Sequence, residues 1–213
     1  MKCRSVPSGG ARAMNKKFVQ VWGIAIAAVV ILITILQLVQ PYKFRGALID
    51  PAQSAPQIEL PASTGGTFRL SDYQGKVVLL FFGYTSCPDV CPTTLGDMKR
   101  VRDRLGDGAE QVQVVFITVD PQRDTEARLA SYLSLFDVGD IGLTGSEEQL
   151  GPVWQAYGVY RAIDTSTETA TGYLVDHSSR VYLIDPQGNL RLTYAFGTAP
   201  ADIAADVAYL LKE

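Results

Sequence analysis

The sequence predicts an α/β domain built on a parallel sheet, preceded by one apolar helix of membrane-spanning length. Three observations carry that reading. Between Lys17 and Lys43 lie 25 consecutive uncharged residues. Further on, VVLLFFGY and VQVVFITV are continuous apolar runs rich in Val and Phe, the pattern of strands buried on both faces. A stretch with helical signals follows each of these two runs, so strands and helices alternate.

The apolar segment comes first in the chain. As a helix its 25 residues reach about 37 Å, against a hydrocarbon core of about 30 Å. A cleaved signal peptide is the alternative. Its small-x-small triplet would be Ala25-Ile26-Ala27, but that falls in the middle of the run and nothing comparable follows the run's end, so we expect an uncleaved anchor over residues 18–40. Lys2, Arg4, Arg12, Lys16 and Lys17 precede it, and only Lys43 and Arg45 follow closely. That asymmetry makes residues 1–17 a cytoplasmic tail and puts the remainder outside. Met14 opens MNKKFVQVWG, a complete basic flank and anchor in itself, so either Met1 or Met14 can be the start. Cys3, where present, lies across the membrane from the other two cysteines.

Beyond the anchor, charge narrows the function classes. All seven basic residues up to Arg45 precede the first acidic residue, Asp50, leaving 12 basic residues against 22 acidic, a net of −10. Such a domain repels phosphate backbones, which argues against nucleic acid as a partner. With 213 residues, 47% of them hydrophobic, the chain supports one good-sized core. Residues 41–57, with Pro41, Pro51 and Pro56, read as a linker without periodicity, and residues 58–213 as the domain. In order, TFRLSDYQGK is a short strand and turn, VVLLFFGY a buried strand, TSCPDVCP a loop and PTTLGDMKRVRDRL a helix. VQVVFITV, DPQRDTEARLASYLSLF, IGLTG and SEEQLGPVWQAYGV then read as strand, helix, strand and helix. YLVDHSSRVYLIDPQGNLRLTYAF reads as two strands joined at the turn PQGN, and ADIAADVAYLLKE closes the chain as an amphipathic helix. This is the order of a thioredoxin-like fold, β-α-β-α-β-β-α, with one helix inserted. In such sheets the loops at the carboxyl ends of adjacent strands share a crevice, which would bring DHSS beside the cysteine loop.

The cysteines carry the chemistry. A residue before proline is disfavoured in the α region, so we expect Cys91 at a helix N-cap with Pro92 at the first helical position, and Cys87 just ahead. Both sulfurs then face the positive end of a helix, which favours thiolate and improves nucleophile and metal ligand alike. A structural disulfide is the bland alternative, but so small a ring restrains little chain. A dithiol–disulfide oxidoreductase is the functional one, although those proteins normally carry C-x-x-C and here three residues separate the cysteines. His177 is the only histidine. Beside the cysteine loop it would complete two soft thiolates and one imidazole, a set suited to Cu(I) and able to hold Cu(II). Structural zinc usually takes four ligands, which would require Asp89 or Asp176 as the fourth.

FFGYTSCPDVCPTTL, VFITVDPQRDT and YLVDHSSRVYLIDPQGNL together resemble the Sco/SenC family of copper chaperones over about residues 57–213 and the anchor. The resemblance implies one copper held by Cys87, Cys91 and His177. It further implies a role in assembling the copper centre of cytochrome c oxidase subunit II, by donating copper or by reducing that subunit's cysteines. Implied partners are that subunit, an upstream copper donor and a thioredoxin-like reductant. The implied location is a bacterial inner membrane, spanned once, with the domain in the periplasm, rather than a mitochondrial inner membrane. In the oxidoreductase alternative, Cys87 and Cys91 are the catalytic redox pair. A peroxidase would need one peroxidatic cysteine in a threonine-containing pocket, and Thr85 lies two residues before Cys87.

Asp120, Asp124 and Thr125 in VDPQRDT read first as turn and helix caps. The resemblance keeps Asp120 and Arg123 as candidates to support the ligands from behind or to touch a partner. Phe82, Tyr84 and Trp154 read as packing residues.

Overall fold

The structure is a computed structural model that describes residues 16–38, 41–137, 139, 141–169 and 172–213. It divides into two compact units, Met1–Lys43 and Phe44–Glu213. In the first, helix α1 spans Lys16–Leu38, and its large apolar side chains from Val21 to Leu36 that are described are exposed. Among the described residues no helix is long and apolar enough to cross a membrane. Residues 1–15 and positions 39 and 40 of the expected anchor lie outside the described residues, as do Cys3 and Met14.

The second unit opens with strand β1 (Ala47–Ser54), followed by the short pair β2 (Glu59–Pro61) and β3 (Thr67–Arg69). Next come β4 (Val77–Gly83), α2 (Val90–Leu105), β5 (Val112–Thr118), α3 (Glu126–Leu133), β6 (Ile141–Leu143) and α4 (Glu147–Ala156). The chain finishes with β7 (Arg161–Thr169), β8 (Gly172–His177), β9 (Arg180–Ile184), β10 (Asn189–Ala195) and α5 (Pro200–Leu210). Six strands make one mixed sheet in the order β1-β10-β9-β4-β5-β6. β4, β5 and β6 run parallel, whereas β9 is antiparallel to β4 and β10 to β9. The α/β, thioredoxin-like arrangement expected from the order of elements is present.

Central position explains the two apolar runs. All seven residues of β4 are buried, and six of seven in β5, because both faces are covered. α2 and α5 pack together, and α3 lies beside β6. Start signals in the sequence fix two helices. Thr125 caps α3 by accepting the Arg128 N–H, and Ser146 with Gln149 forms a reciprocal capping box on α4. Trp154 is buried and donates its indole N–H to the Thr118 carbonyl at 3.1 Å.

Two expectations differ from the fold. Residues 41–57, read as a linker, contain β1, which pairs antiparallel with β10. An edge strand with one ladder partner and mostly exposed side chains carries no apolar alternation, and it tolerates Pro51, so it reads as linker. Its start is tied down by buried Asp206, which accepts the backbone N–H groups of Arg45 and Gly46 at 2.9 and 3.0 Å and the Tyr194 hydroxyl at 3.1 Å. Secondly, YLVDHSSRVYLIDPQGNLRLTYAF contains three strands. β8 leaves the main sheet and pairs with β7 as a separate hairpin, and β9 begins after Ser178 and Ser179. RAIDTSTET, which forms β7, is polar and gave no strand signal.

Candidate metal centre

β4 ends at Gly83, at the carboxyl edge of the parallel strands, and the next eight residues turn into α2 over Cys87 and Cys91. Gly83 is required there by a close approach. A Cβ at this position would lie 2.8 Å from Cys91 Sγ and 2.9 Å from the Phe81 and Phe116 rings. Cys91 is fully buried and Cys87 partly exposed. The helix begins two residues earlier than expected: Asp89 is the N-cap, and Cys91 and Pro92 lie within the first turn. Proline is tolerated there because the first four N–H groups of a helix have no partner within it. One of those groups, the Cys91 N–H, is directed at Cys87 Sγ at 3.4 Å. The expected placement of the sulfurs at a helix amino end therefore holds, with Cys87 acting as an acceptor for that end.

His177 reaches this loop from the last position of β8. Its Nε2 lies 3.7 Å from Cys91 Sγ, while Nδ1 is 3.1 Å from the Ser178 carbonyl. With Nδ1 turned to that carbonyl, Nε2 faces the sulfurs. The ring stands edge-on to Tyr84 and Phe81, at centroid distances of 5.8 and 6.3 Å. The two sulfurs and an imidazole nitrogen all lie within 4.8 Å of one another, and among the described residues this is the one such group of possible metal ligands. Asp89 and Asp176 line the cleft of about 230 Å³ beside Cys87 and His177 without joining that group.

The sulfurs share their protons unequally. The Cys87 thiol is lowered to about 4 by a hydrogen bond from Cys91, with further help from His177 and from the N–H groups of Cys91 and Asp89, against the opposing effect of burial. Cys91 moves up, because it donates that bond, is buried, and sits beside the negative Cys87. Near neutral pH the pair thus holds one thiolate, at the accessible sulfur, and a metal would have to displace a single proton to obtain two thiolates.

Both aspartates of VDPQRDT are fully buried, and neither serves as the helix cap. Asp124 accepts the Thr85 N–H at 3.1 Å, the Thr85 hydroxyl at 2.5 Å and the Thr118 hydroxyl at 2.7 Å. Burial raises its carboxyl and these hydrogen bonds lower it, with burial dominant. Thr85 also accepts the Arg128 Nε–H at 2.7 Å, so its hydroxyl is engaged with α3. Asp120 forms an ion pair with Arg123 and accepts the Tyr173 hydroxyl at 2.7 Å. Tyr84 packs, as expected, and in addition accepts the Val175 N–H at 3.4 Å. Gly83, Tyr173 and the Thr85–Asp124 link gave no signal in the sequence; the last two depend on contacts 39 or more residues apart, and Gly83 on the packing of Cys91 and Phe116 against it.

The SCO1/SenC family model matches residues 47–212. A protein of Stutzerimonas stutzeri named for copper binding is 42% identical over 156 residues, covering 69% of this chain and 76% of its own. Among solved structures, ScoI of Bradyrhizobium japonicum with copper bound is 35% identical, with a TM-score of 0.67, covering 73% of this chain and 98% of that one. Apo Sco1 of Thermus thermophilus is 37% identical, with a TM-score of 0.68, over 80% and 97%. The fold, the matched span and these relatives agree: the chain belongs to the SCO1/SenC family.

Proposed function

We propose that this chain is a membrane-anchored copper metallochaperone that carries one copper on Cys87, Cys91 and His177 and serves assembly of the copper centre in cytochrome c oxidase subunit II. The observation that carries this reading is the convergence of two sulfurs and one imidazole nitrogen within 4.8 Å. Three soft or borderline donors suit Cu(I), and the nitrogen extends the set to Cu(II). Zinc in a structural site would call for a fourth ligand. Copper is cargo, received from an upstream donor and passed on. Partial exposure of Cys87 at an open cleft suits hand-over, because an incoming ligand can reach the metal from that side.

The anchor reading rests on the 25 uncharged residues and their basic amino flank. It puts the domain on the periplasmic side of a bacterial inner membrane. A second reading, thiol–disulfide reduction, is favoured by the low Cys87 thiol. Cys87 would attack a disulfide in the apo-acceptor, and Cys91 would resolve the mixed disulfide. Two substrate thiols would form as Cys87 and Cys91 become a disulfide, to be restored by a thioredoxin-like reductant.

His177→Ala separates the two. It removes the imidazole and leaves both sulfurs, so exchange chemistry should persist while copper delivery fails. Cells carrying this variant at normal abundance should assemble little active oxidase if copper donation is the function. Normal oxidase activity would establish the reductase reading instead.

A further inference from the structure

The two ligand-bearing elements are far apart in sequence and touch different parts of one short segment. From the loop that starts at Gly83, Thr85 is held by buried Asp124 through its N–H and its hydroxyl, at 3.1 and 2.5 Å. From the β7–β8 hairpin, the Tyr173 hydroxyl reaches buried Asp120 at 2.7 Å. Arg123 stands between them. It pairs with Asp120, donates from Nη1 to the Tyr173 carbonyl at 2.9 Å, and lays its guanidinium 3.7 Å from the centroid of the Tyr173 ring. The Thr118 hydroxyl joins the two carboxylate sites, donating to Asp124 at 2.7 Å and accepting the Asp120 N–H at 2.8 Å. At the hairpin's base, Arg161, which pairs with His177 across the ladder, donates to the Val119 carbonyl at 2.5 Å.

We infer that residues 118–124 form a two-armed frame that sets the separation between the cysteine loop and His177, with Arg123 as the positioning residue for the histidine arm. The hairpin lies outside the main sheet and joins it only where Ser178 and Ser179 lead from β8 into β9, so no ladder hydrogen bonds run directly between the hairpin and β4. Apart from that short link, the hairpin is held by the Tyr84 hydroxyl and ring and the Phe81 ring and by side chains reaching across from the β5–α3 connection. A charge on Asp120 alone would not suffice. Arg123 fills three roles at once: ion pair, carbonyl donor and ring partner. A lysine has one donating group and no flat face with which to reproduce them. Loss of the arm would leave the Cys87–Cys91 pair intact, because Asp124 holds the loop independently.

This inference rests on the copper reading only for its metal readout, and the test has a second arm that needs no metal. His177 is the only histidine, so histidine-specific isotope labelling of the full-length reduced apo-protein in detergent reports one ring. Wild type should show nuclear Overhauser contacts between that ring and Tyr84, whose centroid is 5.8 Å away. In Arg123→Lys and in Tyr173→Phe these contacts should weaken or vanish, while Cys87 alkylates at the wild-type rate. On copper, both variants should lose Cu(II) affinity by roughly 10–100-fold, the range for residues that orient a ligand. Cu(I) affinity should change by less than about threefold, since two thiolates suffice for it.

Wild-type Overhauser contacts in both variants would overturn the frame, as would full rescue by lysine. Equal losses of Cu(I) and Cu(II) affinity, with a changed Cys87 rate, would also overturn it by revealing general loosening of the fold. If His177→Ala binds Cu(II) as tightly as wild type does, the copper reading fails while the Overhauser arm still decides the frame.

Discussion

The cysteine loop and the histidine hairpin bring two sulfurs and one imidazole nitrogen to one place, yet they are held in different ways. The loop is a direct continuation of a fully buried strand into a helix, with Cys91 fully buried and its sulfur packed over Gly83. The hairpin stands apart from the main sheet and meets the rest through a few polar contacts and the Tyr84 and Phe81 rings. Burial in the core dominates around Cys91, with the Thr85–Asp124 hydrogen bonds bracing the loop, whereas fewer contacts, polar and aromatic, hold the nitrogen.

The largest expected effect lies on the loop side. Cys87→Ser together with Cys91→Ser should abolish tight copper binding in both oxidation states, as measured by competition with a chromogenic chelator. Retained affinity would move the site elsewhere. Next, Gly83→Ala forces a Cβ to within 2.8 Å of Cys91 Sγ. Overpacking of this kind costs about 1–3 kcal/mol, so the reduced apo-protein should unfold at lower denaturant with an unchanged slope. A stability equal to wild type would mean that the loop is softer than its packing implies.

On the hairpin side the effects should be smaller. Tyr84→Phe removes the acceptor of the Val175 N–H and should cost about 0.5–1.5 kcal/mol. That loss should appear as faster amide exchange at Val175 with little change at Cys91. Exchange that speeds equally in both elements would erase the distinction between them. The smallest expected effect is an absence of pH dependence. With its thiol held at about 4, Cys87 is thiolate throughout the neutral range, so alkylation of the reduced apo-protein should be flat between pH 6 and 8. Because the shift is downward, reactivity should fall only as pH drops through that value. An ordinary thiol would instead gain nearly two orders of magnitude, about 75-fold, over the same interval. Such a rise would show that the hydrogen bonds around Cys87 do not hold in solution.

The same contrast governs what could be read from the sequence. VVLLFFGY and VQVVFITV announced the centre of the sheet because burial on both faces leaves a continuous apolar run. TSCPDVCP followed directly, so the cysteines could be placed by local chemistry. His177 was legible only through topology, and its hairpin was not: RAIDTSTET has no apolar face to bury, and its partner strand was merged with β9. β1 was missed for a related reason, since an edge strand with one partner leaves little mark on composition. The Thr85–Asp124 and Tyr173–Asp120 contacts span 39 and 53 residues, and no local pattern encodes them.

The central claim is that two sulfurs and one imidazole nitrogen hold a single copper. X-ray absorption at the copper edge of the full-length protein, loaded with one equivalent of Cu(I), measures that ligand set directly. The account predicts two sulfur scatterers and one imidazole, with the imidazole signal absent in His177→Ala and both sulfurs retained. A wild-type spectrum with no imidazole contribution, or one unchanged by His177→Ala, would contradict it.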